Sequence, residues 1–170
     1  MRIPGWAVAL ALVSVLAACN PDQKAALPQP QEPGSDAVGT ICGMNLNEHH
    51  GPKGQVFVSD GDQPFWFSSV RDAFTWLLVD DGLGKTVAAI YVNDMGKATD
   101  WANPQPGTWV EARHAWFVVA SDRVGGMGGA ELVPFGERAQ ADHFAAQHGG
   151  RVLAFQQINS SVLNEEAHHD

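Results

Sequence analysis

Short apolar runs bounded by turn residues open the first half of the chain. Val56, Phe57 and Val58 place a strand over 54–59, and Phe65, Trp66 and Phe67 place another over 64–68, with Gly61 and Asp62 in the hairpin between them. Ser69 is set to cap a helix, with Asp72 in its first turn. Val70, Ala73, Phe74, Leu77 and Leu78 then fall on one helical face. Asp80, Asp81, Gly82 and Gly84 stop the helix, and residues 86–92 return as a strand rich in Val, Ile and Tyr.

The second half repeats the order. Trp116, Phe117, Val118 and Val119 mark a strand over 114–120, a glycine-rich turn occupies 125–129, and residues 131–135 form the next strand. A helix over 137–148 puts Ala141, Phe144, Ala145 and His148 on one face, and Gly149-Gly150 ends it before a last strand over 151–156. The pattern predicts an α+β fold of two ββαβ units, about 38–95 and 108–157, with Asn103-Pro104-Gln105-Pro106-Gly107 in the join. Each half has only about 50 residues, too few to bury a stable core alone, so the two are expected to pack together.

The ends of the chain read differently. Arg2 precedes an apolar run from Trp6 to Val15, about half the length of a membrane span, as in a secretory signal. The run ends in Leu16-Ala17-Ala18-Cys19, small residues before a cysteine, which is the pattern of a bacterial lipobox. Residues 1–18 are therefore expected to be a signal peptide, with Cys19 carrying the lipid that anchors the chain to a membrane. Asn20 follows Cys19 in place of the Asp that retains many lipoproteins at the inner membrane, which favours the outer one. Residues 19–37, with Pro21, Pro28, Pro30 and Pro33, read as a flexible tether. Residues 158–170 read as a polar, frayed tail.

Composition narrows the function. The chain has 170 residues, 45% of them apolar, with 10 Lys+Arg against 19 Asp+Glu and a net charge of −9. That balance argues against binding nucleic acid. Neither a Gly-x-Gly-x-x-Gly nor a Walker loop is present, which leaves no case for nucleotide binding. With Cys19 lipidated, Cys42 is the sole thiol of the mature chain, and an unpaired thiol in an exported protein invites oxidation unless something uses it.

Cys42-Gly43-Met44 sets a thiolate and a thioether two residues apart. Both are soft sulfur donors that select monovalent copper over hard cations. In an extended segment the two would point to the same side. Met127 lies between glycines in the 125–129 turn, where it is either a loop filler or a third ligand. Met95, in Asn93-Asp94-Met95-Gly96, follows a strand in a similar setting and ranks second. His49 and His50 precede the turn-rich Gly51-Pro52-Lys53-Gly54, where an imidazole is either solvated or available to a metal. His168 and His169 close the tail; His114, His143 and His148 read as strand and helix residues.

Cys42-Gly43-Met44, the segment from Glu48 through His49-His50-Gly51-Pro52-Lys53-Gly54 to Gln55, and Gly126-Met127-Gly128 before Glu131 and Pro134-Phe135 together resemble the NosL family of copper lipoproteins. The resemblance covers about residues 38–157. It implies two homologous ββαβ units, related in architecture to the core of organomercurial lyase. It implies Cu(I) held by Cys42 and Met44, with Met127 as the loop methionine and His49 as a secondary candidate. It further implies a periplasmic metallochaperone, not an enzyme, that serves maturation of nitrous oxide reductase through an ABC-type transporter complex and its periplasmic subunit. The alternative from another class is a thiol-dependent hydrolase or organomercurial-lyase-like enzyme with Cys42 as nucleophile.

Overall fold

The computed structural model describes residues 27–79 and 81–165. The expected signal peptide and the expected lipid attachment at Cys19 lie outside the described residues. Among the described residues no helix is long and apolar enough to cross a membrane.

Strands β1 (Gly54–Val58), β2 (Phe65–Phe67), β3 (Val87–Asn93) and β4 (Trp109–Glu111) form an antiparallel sheet in the order β2-β1-β3-β4. Helix α1 (Val70–Leu78) lies between β2 and β3 in sequence. A second antiparallel sheet, β6-β5-β7, is built from β5 (Trp116–Val119), β6 (Val133–Phe135) and β7 (Arg151–Ala154), with α2 (Arg138–His148) between β6 and β7 in sequence. The result is a mixed α/β fold with two sheets and few helices.

Ser69 caps α1 as its position predicts, its hydroxyl accepting from the Asp72 amide at 3.0 Å. The buried face differs from the expected one. Val70, Ala73, Phe74 and Trp76 are buried, Leu77 is half-buried, and Leu78 is 45% exposed. Trp76 is three residues from Ala73 and so shares its side of the helix. Its ring also stacks on Phe65 at 5.2 Å and lies against Phe67 at 5.7 Å, tilting the helix face toward β2.

The two halves share one core. Phe74 of α1 meets Phe117 of β5 edge to face at 5.2 Å and Phe155 at the same distance. Phe117 and Val119 point into this cluster with Val56, Ile90 and Val92, while Val118, between them, faces a second cluster with Val133, Phe135 and Ala141. That is the period-two alternation of a strand covered on both sides.

Three segments depart from expectation. Strand β4 lies just after the proline-containing join, where the second unit is expected to begin, yet it pairs with β3 of the first sheet; it is only three residues long, and its register, Val92↔Val110, rests on β3 rather than on any local signal. The described part of the tail is ordered by packing. Asn159 caps α3 (Ser160–Leu163) by accepting from the Ser161 and Val162 amides, and Ile158, Val162 and Leu163 are buried in the main core. Finally, residues 27–37, expected as the far part of the tether, lie on the first sheet. The Gln31 amide donates to Gln55 Oε1 at 2.9 Å, Gln55 Nε2 donates back to the Gln31 carbonyl at 3.0 Å, and Tyr91 donates to the Pro28 carbonyl at 2.7 Å. Gln55 is buried, so this reciprocal pair satisfies an amide that would otherwise be orphaned.

Phe74→Ala removes the ring that joins the halves and is expected to lower stability by about 3–5 kcal/mol. Urea unfolding followed by circular dichroism measures it; a loss under about 1 kcal/mol would mean that other contacts hold the halves together.

Candidate metal site

Cys42 and Met44 belong to a closed loop. Val38 and Asn45 form an isolated antiparallel bridge, the Gly39 amide donates to the Met44 carbonyl at 2.9 Å, and the Gly43 amide donates to the Gly39 carbonyl at 2.7 Å. The Thr40 amide donates to the Trp66 carbonyl at 2.7 Å, pinning the loop to β2, and the fully buried Leu46 anchors its exit. The motif is thus a turn, not the extended segment expected. Gly43 sits in the left-handed region at φ +66°, so the thiol and thioether flank a bend that glycine adopts without strain. Cys42 is half-buried and is a free thiol; Met44 is 44% exposed. The absence of a side chain at Gly39 clears room for the thiol, since a Cβ there would lie 2.6 Å from Cys42 Sγ. Cys42 Sγ is 3.5 Å from Ser68 Oγ, which donates onward to Asp72 Oδ2 at 3.4 Å.

Met127 stands in a second closed loop. Val124 bridges Ala130, the Gly125 amide donates to the Gly129 carbonyl at 2.8 Å, and the Gly128 amide donates to the Gly125 carbonyl at 2.9 Å. Met127 is 45% exposed. The neighbouring Gly126 is packed hard. A Cβ there would meet His49 Cβ at 2.7 Å, the Ser68 carbonyl at 2.9 Å and the His50 carbonyl at 3.0 Å. Only glycine lets this backbone close onto the first half. Ser68 is therefore shared: its hydroxyl touches Cys42 and its carbonyl lies against the residue before Met127.

The same contact orients His49. Its Nδ1 is 3.0 Å from the Gly126 carbonyl. A carbonyl only accepts, so Nδ1 carries the proton and Nε2 presents a lone pair. Nε2 is buried and has no hydrogen-bond partner among the described residues. An imidazole whose far nitrogen donates to a carbonyl is the usual arrangement of a metal-binding histidine. His50 is exposed. Met95 is not brought to this neighbourhood: it packs with Phe135 and Phe144 in the second core cluster, and its amide donates to the Pro134 carbonyl at 2.8 Å.

Beneath the two loops lies a buried polar layer that sequence reasoning missed. Lys53 Nζ donates to the His49 and Gly51 carbonyls at 2.7 and 2.6 Å, holding the segment that carries the imidazole. Burial lowers its pKa to about 8, with Glu131 opposing. Glu131 is 0% exposed, and its Oε1 accepts from the Arg71 and Leu132 amides at 3.0 and 2.9 Å. Burial pushes its carboxyl up to about 8 against those two hydrogen bonds. Burial also raises Asp72, opposed by hydrogen bonds from Ser69 and Ser68. The one signal available was a charged residue, Glu131, between Ala130 and Leu132; no spacing links it to Lys53 or Arg71.

Among the described residues no group of three or more His, Cys, Asp or Glu side chains is gathered for a metal. The donors at the two loops are instead one thiol, two exposed thioethers and one imidazole lone pair, a soft set.

A family model described as NosL matches residues 30–163. The chain is 40% identical over 154 residues to the copper-binding lipoprotein NosL of Achromobacter cycloclastes, covering 90% of this chain and 79% of that one. It is 37% identical over 127 residues to the copper-binding lipoprotein NosL of Stutzerimonas stutzeri, covering 75% and 64%. Its fold is similar to the crystal structure of the copper chaperone NosL from Shewanella denitrificans, with a TM-score of 0.74 and 33% identity over 80% of this chain and 99% of that one. The solution structure of apo-NosL from Achromobacter cycloclastes matches with a TM-score of 0.50 and 40% identity, over 65% and 87%. These relatives are described as copper-binding proteins and a copper chaperone, not as enzymes.

The buried carboxyl makes a pH prediction. Glu131 rises on folding from 4.5 to about 8, so the native state holds its proton more tightly than the unfolded chain. Its contribution to stability is present at low pH and is lost as pH rises through the window from 4.5 to about 8. The slope is at most about 1.4 kcal/mol per pH unit. Glu131→Gln cannot titrate and is expected to flatten that slope. Urea melts of both proteins at about pH 5.5 and about pH 7.5 test this, and parallel slopes would refute it.

Proposed function

The chain belongs to the NosL family, and from that premise we propose that it is a membrane-anchored periplasmic carrier of monovalent copper that serves maturation of nitrous oxide reductase. The observation that carries the reading is that both methionine loops touch Ser68, one through Cys42 Sγ and the other through Gly126, which also lies against His49. Cys42 supplies the thiolate, Met44 and Met127 supply thioethers from opposite halves, and His49 Nε2, whose lone pair has no hydrogen-bond partner among the described residues, is an additional donor. Thiolate and thioether select Cu(I) over hard cations, and Cu(I) in turn prefers them to the oxygen donors of solvent.

A carrier has to release as well as hold. Both thioethers are about half exposed, so an incoming partner ligand can displace one while the ion stays bound to the half-buried thiolate. Copper then passes by ligand exchange without being freed. The recipient is an ABC-type membrane complex through its periplasmic subunit. The lipid on Cys19 holds the carrier at the membrane, with the outer membrane favoured by Asn20. The orders β1-β2-α1-β3 and β5-β6-α2-β7, with β4 outside the repeat, support the reading of two homologous ββαβ units.

The full-length lipoprotein in detergent, titrated with Cu(I) against a chromogenic chelator, tests the site. Cys42→Ser is expected to abolish stoichiometric uptake while circular dichroism stays native, because a hydroxyl is a hard and poor ligand. Met127→Ile is expected to retain weaker binding and to lower the copper content of nitrous oxide reductase in cells. Unchanged affinity in a folded Cys42→Ser protein would overturn the site. For the anchor, Cys19→Ala is expected to lose the mass of the acyl chains, and a variant still carrying that mass would refute lipidation at this residue.

A further inference from the structure

The first turn of α1 touches both methionine loops, and by different groups. Ser68, just ahead of the helix, contacts Cys42 Sγ with its hydroxyl. Arg71, in the first turn, faces the other loop and donates to it twice, once from the backbone and once from the side chain. Its backbone amide donates to Glu131 Oε1 at 3.0 Å, and its side-chain Nε donates to the Ala130 carbonyl. The same guanidinium donates to the Leu163 carbonyl and, at 3.1 Å, to the Glu165 carbonyl, so it has no freedom to swing. On the loop side, the Glu131 amide donates to the Arg123 carbonyl at 2.9 Å, closing the base of the Met127 loop. The Glu131 carboxyl fills the space under that loop: a Cβ on Gly125 would lie 2.3 Å from Oε2.

We infer that Glu131, cross-linked to the first turn of α1 through Arg71, is a positioning residue that sets where Met127 stands relative to Cys42. This rests on the reading of Met127 as a copper ligand. The Arg71 amide is one of the helix-start donors that no intrahelical carbonyl can satisfy, so a carboxyl oxygen there is a preferred partner. Burying that carboxyl with Oε2 unpartnered is unfavourable. The first-half contacts of the loop at Gly126 bear on a backbone already closed at its base by Glu131 and Arg123. Two donations from Arg71, one from its amide to the Glu131 carboxyl and one from its guanidinium to the Ala130 carbonyl, hold that base at two points. Glu131 touches no copper ligand itself and acts through the loop.

The test uses the full-length lipoprotein loaded with Cu(I), copper-edge X-ray absorption to count sulfur neighbours, and chelator competition for affinity. Met127→Ile serves as the reference and is expected to lose one sulfur. Glu131→Ala is expected to lose the same sulfur and to weaken binding by about 10–100-fold, as for loss of a supporting partner. Glu131→Gln, which keeps an acceptor for the Arg71 and Leu132 amides, is expected to restore the wild-type sulfur count. Gly125→Ala, which puts a methyl 2.3 Å from Oε2, is expected to displace the loop as Glu131→Ala does, and covers the case in which Glu131→Ala does not fold. A full sulfur count in the folded Glu131→Ala and Gly125→Ala proteins, with one lost in Met127→Ile, would overturn the positioning role alone. An unchanged count in Met127→Ile would overturn the ligand reading and this inference with it.

Discussion

The close approach of Gly126 to His49 and Ser68 is the constraint on which the site depends. It joins two loops that are far apart in sequence and that belong to different sheets. It also chooses the tautomer of His49, because the Gly126 carbonyl can only accept. One backbone contact thus brings Met127 to the first half and, by engaging Nδ1, leaves the Nε2 lone pair of His49 uncommitted. The contact exists only because the halves share a core through Phe74, Phe117 and Phe155. Packing in the interior and donor geometry at the surface are consequences of the same docking.

The strand pattern was legible because apolar runs and turn residues alternate cleanly over 54–92 and 114–156. Ser69 as a cap and Gly149 as a stop were legible for the same local reason. What was not legible depends on partners elsewhere in the chain. Strand β4 exists because β3 offers it an edge. Residues 27–37 looked like a linker by composition, and they lie down because Gln55 and Tyr91 supply hydrogen bonds that no local pattern announces. Val162 and Leu163 were outweighed by their polar neighbours, yet two apolar side chains beside a ready cap suffice for one turn of helix. Trp76 displaced Leu78 from the buried face because two aromatic neighbours on β2 await it.

The site divides along the same line. Cys42, Met44 and Met127 were visible as residue types, since soft donors are few in this chain. Their surroundings were not. Lys53, Arg71, Asp72 and Glu131 are ordinary charged residues in sequence, and only the fold shows that they lie under the two loops. The shape of the motif is not legible from its spacing either: a bridge between Val38 and Asn45 makes it a turn, so strand alternation does not govern where its sulfurs point.

A copper carrier of the kind proposed faces two opposed demands. Donors have to be exposed for exchange, yet exposed loops are the least constrained part of a protein. Here the demands are met in separate layers. The thioethers of Met44 and Met127 are at the surface, while each loop is closed at its base by backbone hydrogen bonds and rests on buried polar groups. Burying Lys53 and Glu131 is unfavourable, as their displaced pKa values record. An apolar layer would pack at less expense but offers no directional bonds to carbonyls and amides. Polar burial therefore trades stability for definition of position, and it does so directly beneath the donors whose placement matters most.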